Sequence, residues 1–264
     1  MINKENRIQT TKNECRTCFW APLTRTPNQV LKGIGRSFII DISGLKILIE
    51  TNITLTQAHR DIIYAIFIFN YKRSFTKSGD FRALFSISSI YNALNRRYSK
   101  ETIIEKLKEL FITKFFASPV DDKKIFTPFQ YVNEFKPSNI KINDDRLDRL
   151  NIEKYYYLIE ISRTYFEFQN YDLKILIDDE IVKKIIKLES AILKDLIYYT
   201  LSHNVLNKDL QAILYEKSIL TQTTTKQRKS AILKEIINRK DILVSEFKIE
   251  IKKMESGRYG VFHL

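Results

Sequence analysis

The sequence predicts an α+β chain, mainly helical, in which two tandem winged-helix units (a helix-turn-helix closed by a β-wing) follow an irregular N-terminal arm. Three observations lead there. The last 80 residues run apolar helix, short helix, basic helix and two alternating segments. The same order of elements occurs earlier in the chain. The length of 264 residues, with 44% hydrophobic and 28% charged residues, suits one large or two ordinary domains with a filled core. The expected boundaries are 1–35 for the arm, 36–140 for the first unit, and 141–264 for a linker helix and the second unit.

The arm holds the only tryptophan, Trp20, with Pro22, Pro27, Gly33 and Gly35, and has no clear periodicity. Residues 37–50 are β-rich with Gly44 at the centre, which predicts a short hairpin or two edge strands. Residues 56–72 form an apolar helix with Thr56 as N-cap and Ile62, Ile63, Ile66, Phe67 and Phe69 on its packed face. A flexible stretch follows over 73–80, then a short strand over 84–87. The second helix covers 88–94, capped by Ser88 or Ser89, and the third covers 99–111, with Ser99, Thr102, Glu101 and Glu105 as capping residues. Strand-like runs at 113–118 and 124–135 flank a wing turn, PVDDK.

Residues 136–145 read as a loop, 144–161 as a helix and 172–177 as a strand entering the second unit. A helix capped by Asp178 or Asp179 comes next. The second unit then has helices over 192–202 and 208–214 and a third beginning in TQTTTKQRK, with Ile232, Leu233, Ile236 and Ile237 as its apolar face. Its wing is formed by 243–251 and 259–264, with Gly257 at the turn. The two halves share a pattern of elements and no residue-level repeat of fixed period.

Charge narrows the function classes. Lys and Arg number 44 against 31 Asp and Glu, a formal net charge of +13, which points first to nucleic acid and second to a membrane surface. No apolar run approaches the ~18–20 residues of a bilayer span. The N-terminus has no signal-peptide core, so a cytoplasmic protein is expected. With six glycines and three scattered histidines the chain offers no phosphate loop, no metal-ligand spacing and no catalytic constellation; no enzyme activity, cofactor or metal is expected. Cys15 and Cys18 leave two readings open, a pair of reduced thiols or half of a zinc site completed by a second subunit. His59 reads as a surface residue, and His203 as a helix C-terminal residue facing the helix dipole. The run Tyr155–Tyr157 straddles a core and its rim or stacks on bases. The aspartate pairs at 121–122, 144–145 and 178–179 read as turn or cap acids.

Several stretches, in order, resemble plasmid replication initiators with tandem winged helices, the TrfA-like family. They are SFIIDISGLKI with LTQAHRDIIYAIF, SISSIYNALN with YSKETIIEKLKEL, LKILIDDEIVKKII with KLESAILKDLIYYTLSHN, and TTTKQRKSAILKEIINRKDILVSEF, together covering about residues 37–264. The resemblance implies binding to repeated double-stranded origin sites, origin melting, and recruitment of host initiation proteins and the replicative helicase. It also implies a homodimer in equilibrium with monomer, with the first unit serving in dimerisation. The residue pattern also admits a transcriptional regulator or partition protein acting by occupancy alone.

A groove-reading helix docks one face on its own core and turns its leading end to DNA. On that basis Thr223, Thr225, Gln227 and Arg228 are expected at base edges and Thr224, Lys226 and Lys229 at phosphates, with Lys252, Lys253 and Arg258 of the wing on the backbone or minor groove. In the first unit Arg96, Arg97, Tyr98, Ser99, Lys100 and Thr102 occupy the same place. The mixed charges of Glu101, Glu105, Lys106, Lys108 and Glu109 predict weaker base reading there, with backbone contacts from Arg96, Arg97 and Lys100.

Overall fold

The structure is a computed structural model and describes residues 2–3, 7–17, 19–21, 35–42, 44–121, 127–138, 156–170 and 173–263. In chain order its elements begin with β1 (Ile2–Asn3), β2 (Arg7–Thr11) and α1 (Lys12–Arg16), followed by the hairpin of β3 (Arg36–Ile42) and β4 (Leu45–Thr51). The first unit continues with α2 (Gln57–Phe69), β5 (Lys72–Phe75), β6 (Phe81–Phe85), α3 (Ile87–Ala93), α4 (Lys100–Ile112), β7 (Lys114–Pro119), β8 (Thr127–Gln130), β9 (Val132–Ser138) and β10 (Tyr156–Ile161). Then come α5 (Arg163–Asn170), β11 (Lys174–Asp178), α6 (Asp179–Lys187), α7 (Ala191–Leu201), β12 (Asn207–Asp209), α8 (Leu210–Glu216), α9 (Lys226–Ile237), α10 (Lys240–Phe247), β13 (Ile249–Lys253) and β14 (Tyr259–His263).

Two halves of this list are built alike. The first runs α2, β6, α3, α4 and the pair β9–β10; the second runs α7, β12, α8, α9 and the pair β13–β14. In each, the strand before the second helix pairs with the last strand, which pairs with the one before it, giving the orders β6–β10–β9 and β12–β14–β13. The insertions between third helix and closing pair differ: β7 and β8 in the first half, α10 in the second. A residue-level repeat also emerges. Arg60-Asp61-Ile62-Ile63-Tyr64 of α2 matches Lys194-Asp195-Leu196-Ile197-Tyr198 of α7. No fixed period is visible from sequence because the match is confined to these five positions.

Both helices are buried around their whole circumference, α2 from Gln57 to Phe67 and α7 from Ala191 to Thr200. Their charged residues therefore need buried partners, and they find them on each other. Asp61 accepts hydrogen bonds from Lys194 and from the Tyr98 hydroxyl (3.0 Å), with Arg97 at 3.7 Å. Asp195 pairs with Lys217 (3.0 Å) and accepts from the Gln57 amide (3.2 Å). The Arg60 guanidinium lies 3.5 Å over the Tyr198 ring, itself edge-on to Tyr64 at 5.8 Å. Burial draws the Lys194 ammonium down to about 8 in spite of Asp61.

Several expectations are corrected by tertiary contacts. The N-terminal arm is not irregular over its described part: β2 pairs antiparallel with β11, Ile8 opposite Ile177, and α1 packs on α7. Trp20 is fully buried against Tyr131, and Phe19 stacks on Phe115. The arm lacks a periodic pattern because its apolar residues serve separate neighbours. Residues 73–80, expected as a flexible stretch, lie in the β5–β6 hairpin, whose turn is held by Asp80 accepting from Thr76 and Asn133 side chains and the Arg163 N–H, with Gly79 at φ +94°. The helix expected over 144–161 ends instead in a strand, β10, paired with β6 and β9 and carrying Tyr156 and Tyr157 into the sheet; residues 139–155 lie outside the described residues. The strand before PVDDK, β7, pairs with β8 and joins the β3–β4 hairpin as a separate four-stranded sheet, while Asp122 and Lys123 lie outside the described residues. The closing hairpin of the first unit is β9–β10. Residues 243–247 are helical, because Leu243 and Phe247 bury one face of α10 before Lys248 ends it in the left-handed region (φ 57°). Ser86, not Ser88 or Ser89, caps α3, while Thr56, Ser99 and Asp178 cap the helices expected of them.

His59 is fully buried rather than on the surface. Its Nδ1 accepts the Thr56 N–H (2.9 Å), so Nε2 carries the proton and donates to Glu109 (2.8 Å). Burial lowers the imidazole pKa, and a second proton would have to sit on Nδ1 against the Thr56 N–H. Burial pushes Glu109 the other way, but hydrogen bonds from His59 and Lys106 outweigh it and hold the carboxylate at about 2.

Two outcomes are expected. Lys194→Met leaves Asp61 buried without its nearest cation and should lower the urea-derived stability by about 3–5 kcal/mol. His59 has a folded pKa below its unfolded 6.5, so the unfolded chain binds more protons as pH falls through 6.5 and stability is lost on acidification. A urea midpoint measured from pH 7.5 to 5 should fall, and His59→Gln should flatten that part of the curve.

Candidate nucleic-acid interface

The second unit presents α9. Thr225 is its N-cap, the side chain accepting the Arg228 N–H at 3.2 Å. The turn before it is closed by hydroxyls: Thr224 Oγ1 accepts the Thr221 N–H, and Thr221 and Thr223 share a hydrogen bond. From that start α9 buries Ile232 and Ile236, half-buries Leu233 and Ile237, and exposes Lys226, Gln227, Arg228, Ser230, Ala231, Lys234, Glu235 and Asn238. Its first turn contains no acidic residue. Lys226, Arg228 and Lys229 thus gather at the positive end of the helix dipole, an arrangement that is unfavourable alone and relieved by an anion. Lys229 is half-buried, its ammonium 5.6 Å over the exposed Tyr215 ring of α8.

The β13–β14 hairpin stands at the end of the same unit, with Gly257 at φ +78° in its tip. Lys253 is exposed. Lys252 is engaged within the hairpin, 3.0 Å from Glu250 and 4.4 Å over the Phe262 ring. Arg258 is largely exposed and 3.8 Å from Asp209, the residue that caps α8.

The expected residues therefore divide. Lys226, Gln227, Arg228, Lys253 and Arg258 are gathered on exposed surface of the second unit. Thr223, Thr224 and Thr225 carry the hydrogen bonds that build the helix start, with Thr223 and Thr225 also exposed. Sequence reasoning missed Ser230, Ala231, Lys234 and Asn238; counting the helical period outward from the buried Ile232 and Ile236 finds them.

In the first unit the expected set is not brought together. Arg97 is turned inward, donating to the carbonyls of Leu188 and Glu189 beside Asp61. Tyr98 is buried, Ser99 caps α4 by accepting the Thr102 N–H (3.2 Å), and Lys100 is half-buried. Arg96 alone of the six is an exposed cation, held at φ 58° in the turn. The outward side of α4 carries Glu101, Glu105, Lys108 and Ile112. Lys106 and Glu109, expected on a solvated face, are buried and paired at 2.8 Å.

Cys15 is buried with its sulfur 3.5 Å from an Arg60 nitrogen, and Cys18 lies outside the described residues. His203 follows the end of α7 with Nδ1 2.8 Å from the Tyr199 carbonyl, and its pKa is lowered chiefly by burial. Among the described residues no group of three His, Cys, Asp or Glu side chains could hold a metal, and no helix is long and apolar enough to cross a membrane.

Fold and surface together define a class, an α+β protein of two like-built units, the second presenting a basic helix beside a β-hairpin. No protein-family model matches the chain, and no curated protein matches it. Among solved structures it is similar to RctB. A crystal structure of the selenomethionine form of RctB domains 2 and 3 has a TM-score of 0.61 at 14% identity, covering 96% of this chain and 97% of that one. A second structure of RctB domains 2–3 has a TM-score of 0.57 at 12% identity, covering 96% of each chain. The architecture is therefore shared over nearly the whole length of both.

The assignment of Thr225 to a cap has a measurable consequence. Thr225→Ala should lower thermal stability by about 1 kcal/mol, an amount that a purely DNA-facing side chain would not produce in the absence of DNA.

Proposed function

We propose that this chain is a replication initiator, a cytoplasmic protein without catalytic activity of its own that binds repeated double-stranded sites at a plasmid origin through two winged-helix units. The observation that carries the proposal is the start of α9. Three cations and no acid crowd the positive end of a helix whose outer side is exposed, next to a hairpin bearing Lys253 and Arg258. Phosphates are the polyanion that such a helix and wing would meet together. The order of strands and helices in both halves fits the winged-helix plan. The likeness to domains 2 and 3 of RctB, a replication initiator, supports the initiator class; it does not extend to the TrfA-like family that the sequence resembles.

In this reading the second unit supplies most of the DNA contact. The carboxylates of Glu101 and Glu105 on α4 disfavour a phosphate-lined groove, leaving the first unit backbone contact through Arg96 and a share in dimerisation. Origin opening and recruitment of host initiation proteins and helicase complete the proposed role.

Footprinting across the DNA flanking its own gene tests the proposal. Several evenly spaced protected repeats are expected; one protected site over a promoter would make it a regulator instead, and no protection at low salt would overturn duplex binding. The phosphate contacts have their own signature. Lys226→Ala and Lys253→Ala should each weaken binding to all duplex sequences and reduce the slope of log K against log salt by about 0.9.

A further inference from the structure

The side of α9 opposite its core is a stripe with one chemical character along its length. Taking Ile232 and Ile236 as the buried direction, the residues that point most directly away at 100° per residue are Lys234, Gln227, Ser230 and Asn238, with Ala231 beside them. All five are exposed. The polar side chains among them have no hydrogen-bond or ion-pair partner among the described residues, unlike Thr223, Thr224 and Thr225, whose hydroxyls are used by the turn and cap. Gln227 to Asn238 spans about 16 Å at 1.5 Å per residue, close to five base pairs at about 3.4 Å each.

The order of side chains along the stripe is informative. Gln and Asn present the paired donor and acceptor that match adenine N7 and N6, Lys donates to guanine O6 and N7, and an alanine methyl packs on a thymine methyl. Ala231 at the middle is also short enough to let the helix backbone approach the base edges. Arg228 and Lys226 flank the stripe at the leading end, on opposite sides, where the two groove walls would be. Glu235 lies seven residues after Arg228 on the same flank, where its carboxylate can only accept, from a cytosine or adenine amino group.

Resting on the duplex-binding reading above, we infer that sequence specificity is set by the outward side chains Gln227, Lys234 and Asn238, which read adenine, guanine and adenine, and not by the threonines of the helix start. The test is selection from a random duplex pool with the full chain at about 50 mM salt, followed by sequencing, for the unaltered protein and for Gln227→Ala, Lys234→Ala, Asn238→Ala and Thr223→Val. Gln227, Lys234 and Asn238 are exposed and unpaired among the described residues, so their alanine variants should leave the urea midpoint unchanged, while Thr223→Val, which removes the hydrogen bond to Thr221, should lower it slightly. Lys234→Ala is expected to lose the preference for one guanine by roughly ten- to a hundredfold, and Gln227→Ala and Asn238→Ala the preference for one adenine each by a similar factor. Thr223→Val should select the unaltered sequence. If the three alanine variants recover the same sequence as the unaltered chain, or Thr223→Val alone changes it, the assignment is overturned. If the unaltered chain recovers no duplex, the duplex-binding reading fails first, and this assignment with it.

Discussion

The pairing of α2 with α7 through buried charge is the constraint on which the rest of the structure depends. Each helix carries a cation followed by an aspartate into a water-free interface, and neither helix could satisfy them alone. Lys194 reaches Asp61 and the Ile186 carbonyl, Gln57 reaches Asp195, and Arg60 lies on Tyr198. Apolar packing tolerates small slides between helices. Buried ion pairs do not, because a displaced partner leaves an uncompensated charge. The two units are thereby fixed in one register.

That register extends to the turns between second and third helices. In the first unit Arg97, just before α4, is tied to Asp61 and to carbonyls at the entrance of α7. In the second, Lys217, just after α8, pairs with Asp195 and donates to the carbonyls of Cys15 (2.9 Å) and Thr17 in the N-terminal segment. The two turns thus use a basic residue in equivalent ways, one anchored on the other unit and one on the arm. The arm in turn pairs with β11, and Arg16 donates to Ser202 at 2.9 Å. It is a strap across both units, which explains why so short a segment contains the fully buried Trp20.

From this shared frame the two third helices diverge. On α4 the surface ends in Phe111 and Ile112, with Glu101 and Glu105 facing out. On α9 the outer side is polar or small and the start is basic. Equivalent positions in like-built units therefore carry opposite chemistry. The three strands common to both units keep the same order, so the difference between the two helix surfaces comes chiefly from their side chains.

What the sequence determined by itself was local. Caps at Thr56, Ser99 and Asp178, the apolar sides of α2, α4 and α9, the β3–β4 hairpin around Gly44 and the basic start of α9 are set by neighbours within a few residues, and periodicity and capping chemistry read such signals directly. Tertiary structure decided everything that depends on partners far along the chain. Tyr156–Ile161 became a strand because β6 and β9 lie on either side of it; His59 became a buried link because Glu109 comes to meet it; Arg97 turned inward because Asp61 and the entrance of α7 are there to receive it. A cation in a turn looks the same in sequence whether it faces solvent or an aspartate on another helix, because the free energy that separates the two outcomes belongs to the partner and to the exclusion of water around the pair.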